Sequence, residues 1–170
     1  MEHLTDEQLM EQYRCSGDRR AIGHLLRRHA SQARAAAFHV LRDASEAQDA
    51  VQDAFVSVLR RSHQYNKEYP FAPWFFRILR NACLDMIRRR GAYDRVLERF
   101  EPHEQDEPPV GTYDVAHLRS LLDQLPRKER EALSMLIDSG MGPAQIAAMC
   151  GCSEEAAKKR AQRGLQRLRE

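Results

Sequence analysis

Met141-Gly-Pro-Ala-Gln-Ile-Ala-Ala-Met-Cys-Gly-Cys-Ser153, continuing as Glu-Glu-Ala-Ala-Lys-Lys-Arg-Ala-Gln-Arg-Gly-Leu-Gln-Arg-Leu-Arg-Glu170, decides how the rest of the chain is read. Ile146, Ala147 and Met149 predict a short helix with a buried side, and Gly151 supplies a permissive backbone where it stops. Ser153 is an N-cap type, and the helix it opens carries Lys158, Lys159, Arg160, Arg163 and Arg167. Helix, glycine turn and basic helix is the layout of a helix-turn-helix reader of duplex DNA, whose second helix enters the major groove. The same charge run also suits a solvated helix packed on a bundle.

The chain has 170 residues, 31% charged and 42% hydrophobic, with aromatics at 7%. Such length fits one domain or two small ones. Scarce β-branched runs and repeated 3.6-residue periodicity predict an all-α fold. Net charge is only +2, but its distribution is uneven. Residues 1–93 hold 15 Lys and Arg against 11 Asp and Glu, residues 94–117 hold 2 against 7, and residues 118–170 hold 10 against 7. Two basic modules joined by an acidic segment fit two nucleic-acid-facing units with a linker between them.

Thr5-Asp-Glu-Gln8 is a capping-box pattern opening a helix with Leu9, Met10 and Tyr13 inside. Gly17 breaks it, and Asp18 caps a second helix with Ile22, Leu25, Leu26 and His29 at helical spacing. A third helical stretch covers about residues 33–41. Ser45-Glu-Ala-Gln48 predicts the cap of an amphipathic helix whose stripe is Ala47, Ala50, Val51, Ala54, Phe55, Val58 and Leu59. Asp49, Gln52, Asp53 and Val56 fall off that stripe. An aromatic, polar loop over 62–73 leads to a helix from Trp74 to about Arg90, with Pro73 in its first turn. Its core side is Trp74, Phe75, Ile78, Leu79, Ala82, Cys83, Met86 and Ile87, and Arg77, Arg80 and Arg88 to Arg90 form its basic face. Arginines beside aromatics suit unpaired bases and their phosphates, and equally suit an ordinary core helix with a solvated end. Residues 98–114 carry three prolines and no periodicity. Beyond them, Leu118 to Leu125 forms one helix stopped by Pro126, and Ala132, Leu133, Leu136 and Ile137 line the next.

Catalytic strings are absent from the sequence: it contains no H-E-x-x-H, G-x-S-x-G or P-loop pattern. No cofactor or metal is expected, and the protein reads as a non-enzyme. Cys15, Cys83, Cys150 and Cys152 are expected as free cytosolic thiols. With no signal peptide or membrane-length apolar run, a cytoplasmic location without membrane insertion is expected.

Three strings together resemble the sigma-70 family of bacterial RNA polymerase sigma factors, in its small extracytoplasmic-function (ECF) group. They are Asp49-Ala-Val-Gln-Asp-Ala-Phe55, Trp74-Phe-Phe-Arg-Ile-Leu-Arg-Asn-Ala-Cys-Leu-Asp-Met-Ile-Arg-Arg-Arg90, and Leu125-Pro-Arg-Lys-Glu-Arg-Glu-Ala-Leu133 ahead of the helix-turn-helix. The resemblance implies a region 2-like helical domain over 1–93, an acidic linker over 94–114 and a region 4-like domain over 115–170. It implies core RNA polymerase as partner, bound through Asp49, Gln52, Asp53 and Phe55. It implies promoter DNA as ligand, both melted and duplex. The loop at 63–73 and the helix with Arg77, Arg80, Asn81, Asp85 and Arg88 would take the melted minus-ten element. Lys158, Lys159, Arg160 and Arg163 would read the minus-thirty-five duplex. An anti-sigma factor is the implied controlling partner.

The chain departs from the family at Glu155-Ala156-Ala157, where Gly-Thr-Val is usual, at Gln145 for an acidic residue, and at Gly164-Leu165 for Ala-Arg. The duplex contact then rests on Lys158, Arg160 and Arg163. Two rivals stay open on residues alone: a dimeric regulator acting without polymerase, and a thiol redox protein built on Cys150-Gly-Cys152. The two modules are further expected to pack together in the free protein.

Overall fold

The computed structural model describes residues 3–97 and 120–169. Helix α1 (Asp6–Ser16) opens on the expected capping box: Thr5 Oγ1 accepts from Gln8 N–H, and Gln8 Oε1 accepts from Thr5 N–H at 2.9 Å. Gly17, at φ +68°, ends it in the left-handed region, and Asp18 caps α2 (Arg19–Leu41) through Arg20 N–H. The two stretches read separately over 22–29 and 33–41 are one helix of 23 residues. Nothing between them breaks it, because residues 30–35 hold no proline or glycine and Ala33, Ala36 and Ala37 continue the buried stripe.

Helix α3 (Ala44–Arg60) starts one residue before the predicted cap. Asp43 Oδ1 accepts from Glu46 N–H at 2.7 Å, so Asp43 and not Ser45 is the cap. Arg42 at φ +60° and Asp43 make a two-residue link that turns α3 back against α2. After the 3-10 turn Ser62–Gln64, helix α4 (Phe71–Leu97) begins three residues earlier than the sequence suggests and ends later. Residues 94–97, read as linker, are helical, and residues 98–114 lie outside the described part. Residues 120–123 are helical ahead of Pro126, as expected. Then come α5 (Arg127–Ser139), α6 (Pro143–Cys150) and α7 (Glu154–Arg167). Among the described residues the secondary structure is helical throughout and contains no strand, in agreement with the all-α reading.

Helix α4 is the pillar of the molecule. It packs against α2 and α3 on one side and against α6 on the other. Phe71, Phe75, Phe76, Leu79 and Cys83 are fully buried along it. Phe71 and Phe75 stack with centroids 5.9 Å apart, and Phe75 also meets Phe55, Phe76 and His29. Ile87, expected inside, is exposed. In α5 the buried face runs through Ala132, Leu133 and Met135, whereas Leu136 and Ile137 are exposed. The cause is packing: α5 lies against both α7 and α2, and that pair of neighbours turns its Met135 edge inward.

One apolar cluster runs through both ends of the chain. Met135, Met141, Ile146, Met149, Ala157 and Ala161 join the core built by α1 to α4. Polar contacts span the same boundary. Gln145 Nε2 donates to Gln32 Oε1 at 3.4 Å, and His39 Nε2 lies 3.2 Å from Asp138 Oδ2. The C-terminal helices are therefore seated on α2 and α4, the packing expected of the free protein.

Helix α1 buries Leu9 and Met10 in the core and is tied further by Asp6, which meets Arg28 Nη1 at 2.5 Å and His29 Nε2 at 2.6 Å. Burial works to raise the Asp6 carboxyl, but the hydrogen bonds from His29 and Arg28 outweigh it and hold it below its usual 3.8. A lowered carboxyl contributes stability that is present above pH 3.8 and is lost as pH falls through the folded value. Acid titration followed by hydrogen exchange should show α1 amides losing protection below that pH. Asp6→Asn should remove this step. An unchanged acid profile in Asp6→Asn would mean that other carboxylates govern α1.

Candidate nucleic-acid and polymerase interface

Three surfaces carry the residues singled out in the sequence. The first is the outer face of α3. Asp49, Gln52 and Asp53 are exposed there, Asp49 one turn from the adjacent pair Gln52 and Asp53, opposite the buried Ala47, Ala50 and Ala54. Val56 and Leu59 are exposed beside them at 44% and 38%. Leu59, placed on the core stripe by periodicity, thus lies outside with the acids. Phe55 does not share this surface: it is half-buried, its ring stacked on Phe75 at 5.6 Å between centroids. The result is a small apolar patch with a polar, acidic rim, the usual anatomy of a protein contact.

The second surface is α4 with the loop before it. Arg77, Asn81, Asp85 and Arg88 recur at spacings of four, four and three residues, and all are exposed on one stripe. Arg88 Nη1 pairs with Asp85 Oδ1 at 2.8 Å. Arg80 sits apart from this stripe. It is half-buried in a cleft shared with Pro73, Ala147, Gly151 and Glu154. A Cβ at Gly151 would lie 2.5 Å from Arg80 Nη2, so the helix-turn-helix turn rests directly on that guanidinium.

The loop leading to α4 is braced from inside. Tyr65 is buried among Phe71 and Trp74, and its hydroxyl donates to Tyr69 O at 2.6 Å. Burial, followed by the Glu7 and Asp6 carboxylates, pushes that phenol up to about 12, so it stays a donor at neutral pH. Asn66 to Pro70 are exposed, and Tyr69 presents 66% of its surface.

The third surface is α7. Ser153 Oγ accepts from Ala156 N–H, and Gly151 at φ +62° makes the turn, as the residue pattern predicts. Lys158 and Lys159 are exposed in pairs with Glu154 and Glu155, at 2.9 and 2.7 Å. Such exposed intrahelical pairs are worth about 0.3–0.5 kcal/mol and exchange readily for phosphate. Arg163 is exposed. Arg160 is half-buried and turned back toward the Cys150 thiol. At Gly164 the helix passes close over α5: a Cβ there would lie 3.2 Å from Leu133 Cδ2.

All four cysteines are free. Burial, then Cys152 and Glu131, push the Cys150 thiol up to about 11 despite Arg160. A thiol held protonated is a poor nucleophile, so Cys150 is unsuited to thiolate chemistry. Among the described residues no group of three or more His, Cys, Asp or Glu has the geometry for a metal ion. None of the described helices is long and apolar enough to cross a membrane.

Periodicity could not show the acid groups of α1. Glu7 reaches the N–H of Phe71 at 3.0 Å across 64 residues of sequence, a contact with no local signal.

Comparison with known proteins identifies the family. The family model for Sigma-70 region 2 matches residues 25–93, and that for Sigma-70, region 4 matches residues 117–168. The chain is 34% identical over 154 residues to the ECF RNA polymerase sigma factor SigM of Mycobacterium tuberculosis, covering 90% of this chain and 78% of SigM. It is 32% identical over 164 residues to the RNA polymerase sigma factor CarQ of Myxococcus xanthus, covering 95% and 94%. Among solved structures, CnrH in complex with the cytosolic domain of CnrY superposes with a TM-score of 0.66 at 28% identity, over 96% of this chain and 94% of that one. The sigma factor RpoE of Bartonella quintana, in complex with the anti-sigma factor NepR, gives 0.65 at 26% identity, over 86% and 92%. A region 2 bundle, a region 4 helix-turn-helix and relatives matched along most of their length place this chain in the ECF group of the sigma-70 family: it is an RNA polymerase sigma factor.

Proposed function

We propose that this sigma factor divides its work among the three surfaces just described. Residues 1–93 bind core RNA polymerase and melt the minus-ten element, residues 94–114 link the domains, and residues 115–170 read the minus-thirty-five element. The observation that carries the reading is the separation of faces. Asp49, Gln52, Asp53, Val56 and Leu59 look out from α3, whereas Arg77, Asn81, Asp85 and Arg88 look out from α4. A bundle with two distinct exposed faces can hold a protein on one and DNA on the other. Phe55 supports the first face from beneath, through Phe75. The chain acts by binding, with no cofactor and no chemistry of its own, in the cytoplasm where polymerase works.

The same reading gives the seated C-terminal helices a meaning. Arg80 reaches a DNA phosphate only after the turn at Gly151 leaves it. The closed molecule is the inactive form, and opening it exposes Arg80. An anti-sigma factor holds the closed form, in keeping with the CnrY and NepR complexes of the similar structures.

Transcription reconstituted from core polymerase, this chain and a library of genomic fragments tests the proposal. Discrete promoter-specific transcripts that depend on the chain are expected. Absence of any such transcript would falsify the assignment.

Single substitutions separate positioning from reading. Arg80→Ala should weaken binding to all minus-ten variants alike and lower the salt dependence by about one unit, as a lost phosphate contact does. Asn81→Ala should instead change the preference between variants, because its amide can hydrogen-bond a base edge. If permanganate footprints of Asn81→Ala keep the wild-type ranking, Asn81 only braces the helix.

A further inference from the structure

Helix α4 starts without a cap of its own. Pro70 precedes it and has no side-chain acceptor, Pro73 removes one N–H from the first turn, and that turn contains no acidic residue. Free N–H groups at such an end call for a hydrogen-bond acceptor, which the helix dipole allows to be an anion. Glu7 provides it from α1: its Oε1 accepts from Phe71 N–H at 3.0 Å in a partly buried contact. Phe71 is where the loop ends and α4 begins, so one bond sets the register of the loop against the helix. Its neighbours hold α1 in place. Asp6 is locked to Arg28 and His29 on α2, and Glu11 Oε1 lies 3.8 Å from Lys67 Nζ in the loop itself. Tyr65 closes the loop on Tyr69. Residues 6–16 lie outside the stretch matched by the region 2 family model, which begins at residue 25.

We propose that Glu7 is a positioning residue for promoter melting: by capping α4 at Phe71 it fixes the loop at 63–73 in the form that takes an unpaired promoter base. This rests on the reading of that loop as the minus-ten capture element. Glu7 itself touches no DNA. Its effect reaches the base through Phe71 and the aromatic floor of Tyr65 and Trp74.

The test uses holoenzyme assembled from the full chain and core polymerase on a promoter found by the transcription assay. Core affinity, permanganate reactivity over a set of minus-ten variants, and the urea midpoint are measured for each protein. Glu7→Ala should keep core affinity within about two-fold and open promoters about tenfold less, with a flattened ranking among the variants. Glu7→Gln should recover most of the opening, because its amide oxygen still accepts from Phe71 N–H. Val58→Ala, a buried change in α3, serves as the match for lost stability. Three results overturn the proposal: wild-type opening and ranking in Glu7→Ala, no recovery in Glu7→Gln, or an equal opening defect in Val58→Ala at the same urea midpoint. Exchange of residues 66–69 for glycine and serine separates the two levels. If that exchange leaves the ranking as in wild type, the loop reading fails and Glu7 with it. If it abolishes the ranking while Glu7→Ala does not disturb it, only the role of Glu7 falls.

Discussion

Replacing Phe75 by alanine should lower the unfolding free energy by about 3–5 kcal/mol, the range for truncating a fully buried phenylalanine. Phe75 has no exposed surface. Its ring meets His29 on α2, Phe55 on α3, and Phe71 and Phe76 on α4, at centroid distances of 5.1 to 5.9 Å. Three helices thus share one side chain, and the void left behind cannot be filled from a single direction. Since domains are stable by only about 5–15 kcal/mol, much of the margin would go. Urea denaturation followed by circular dichroism measures it. Phe55→Ala should cost clearly less, because Phe55 is half-buried and already borders solvent. A loss below about 1 kcal/mol in Phe75→Ala would show that the bundle repacks around the gap, contrary to a close-packed core.

The second large effect is on polymerase binding. Asp53→Arg should weaken affinity for core polymerase by about 10- to 100-fold while leaving helicity unchanged. The carboxylate is exposed in the middle of α3, and the structure holds it in no ion pair among the described residues. The substitution therefore breaks nothing inside the protein, and arginine is the better helix former of the two. What changes is the sign of charge beside Val56 and Leu59, which are exposed on the same face. Reversed charge at an interface costs more than removed charge, so Asp53→Ala should fall between wild type and Asp53→Arg. Titration of labelled core polymerase gives the affinities. Equal binding by all three proteins would take α3 out of the interface. Gln52→Arg and Val56→Ala then map how far the patch extends.

Local signals in the chain determined a large part of this protein. The Thr5 to Gln8 box, the caps at Asp18 and Ser153, and the stops at Gly17, Gly140 and Gly151 act within four or five residues, and each sits where its chemistry requires. The exposed stripe of Arg77, Asn81, Asp85 and Arg88 follows from helical spacing alone. Tertiary structure decided the rest, because those questions concern neighbours distant in sequence. Whether Leu136 and Ile137 or Met135 face inward depends on how α5 lies on α2 and α7, which periodicity within α5 cannot express. Phe55 and Leu59 sit on the same apolar stripe in sequence, yet Phe75 is there to receive only Phe55. Arg80 reads like its neighbours on α4 until the turn at Gly151 comes to rest on it. Glu7 carries no signal at all in its own segment, since the N–H it caps belongs to Phe71. Hydrogen bonds and packing within one turn are written in adjacent residues, whereas the partner of a buried or capping group is set only when distant helices meet.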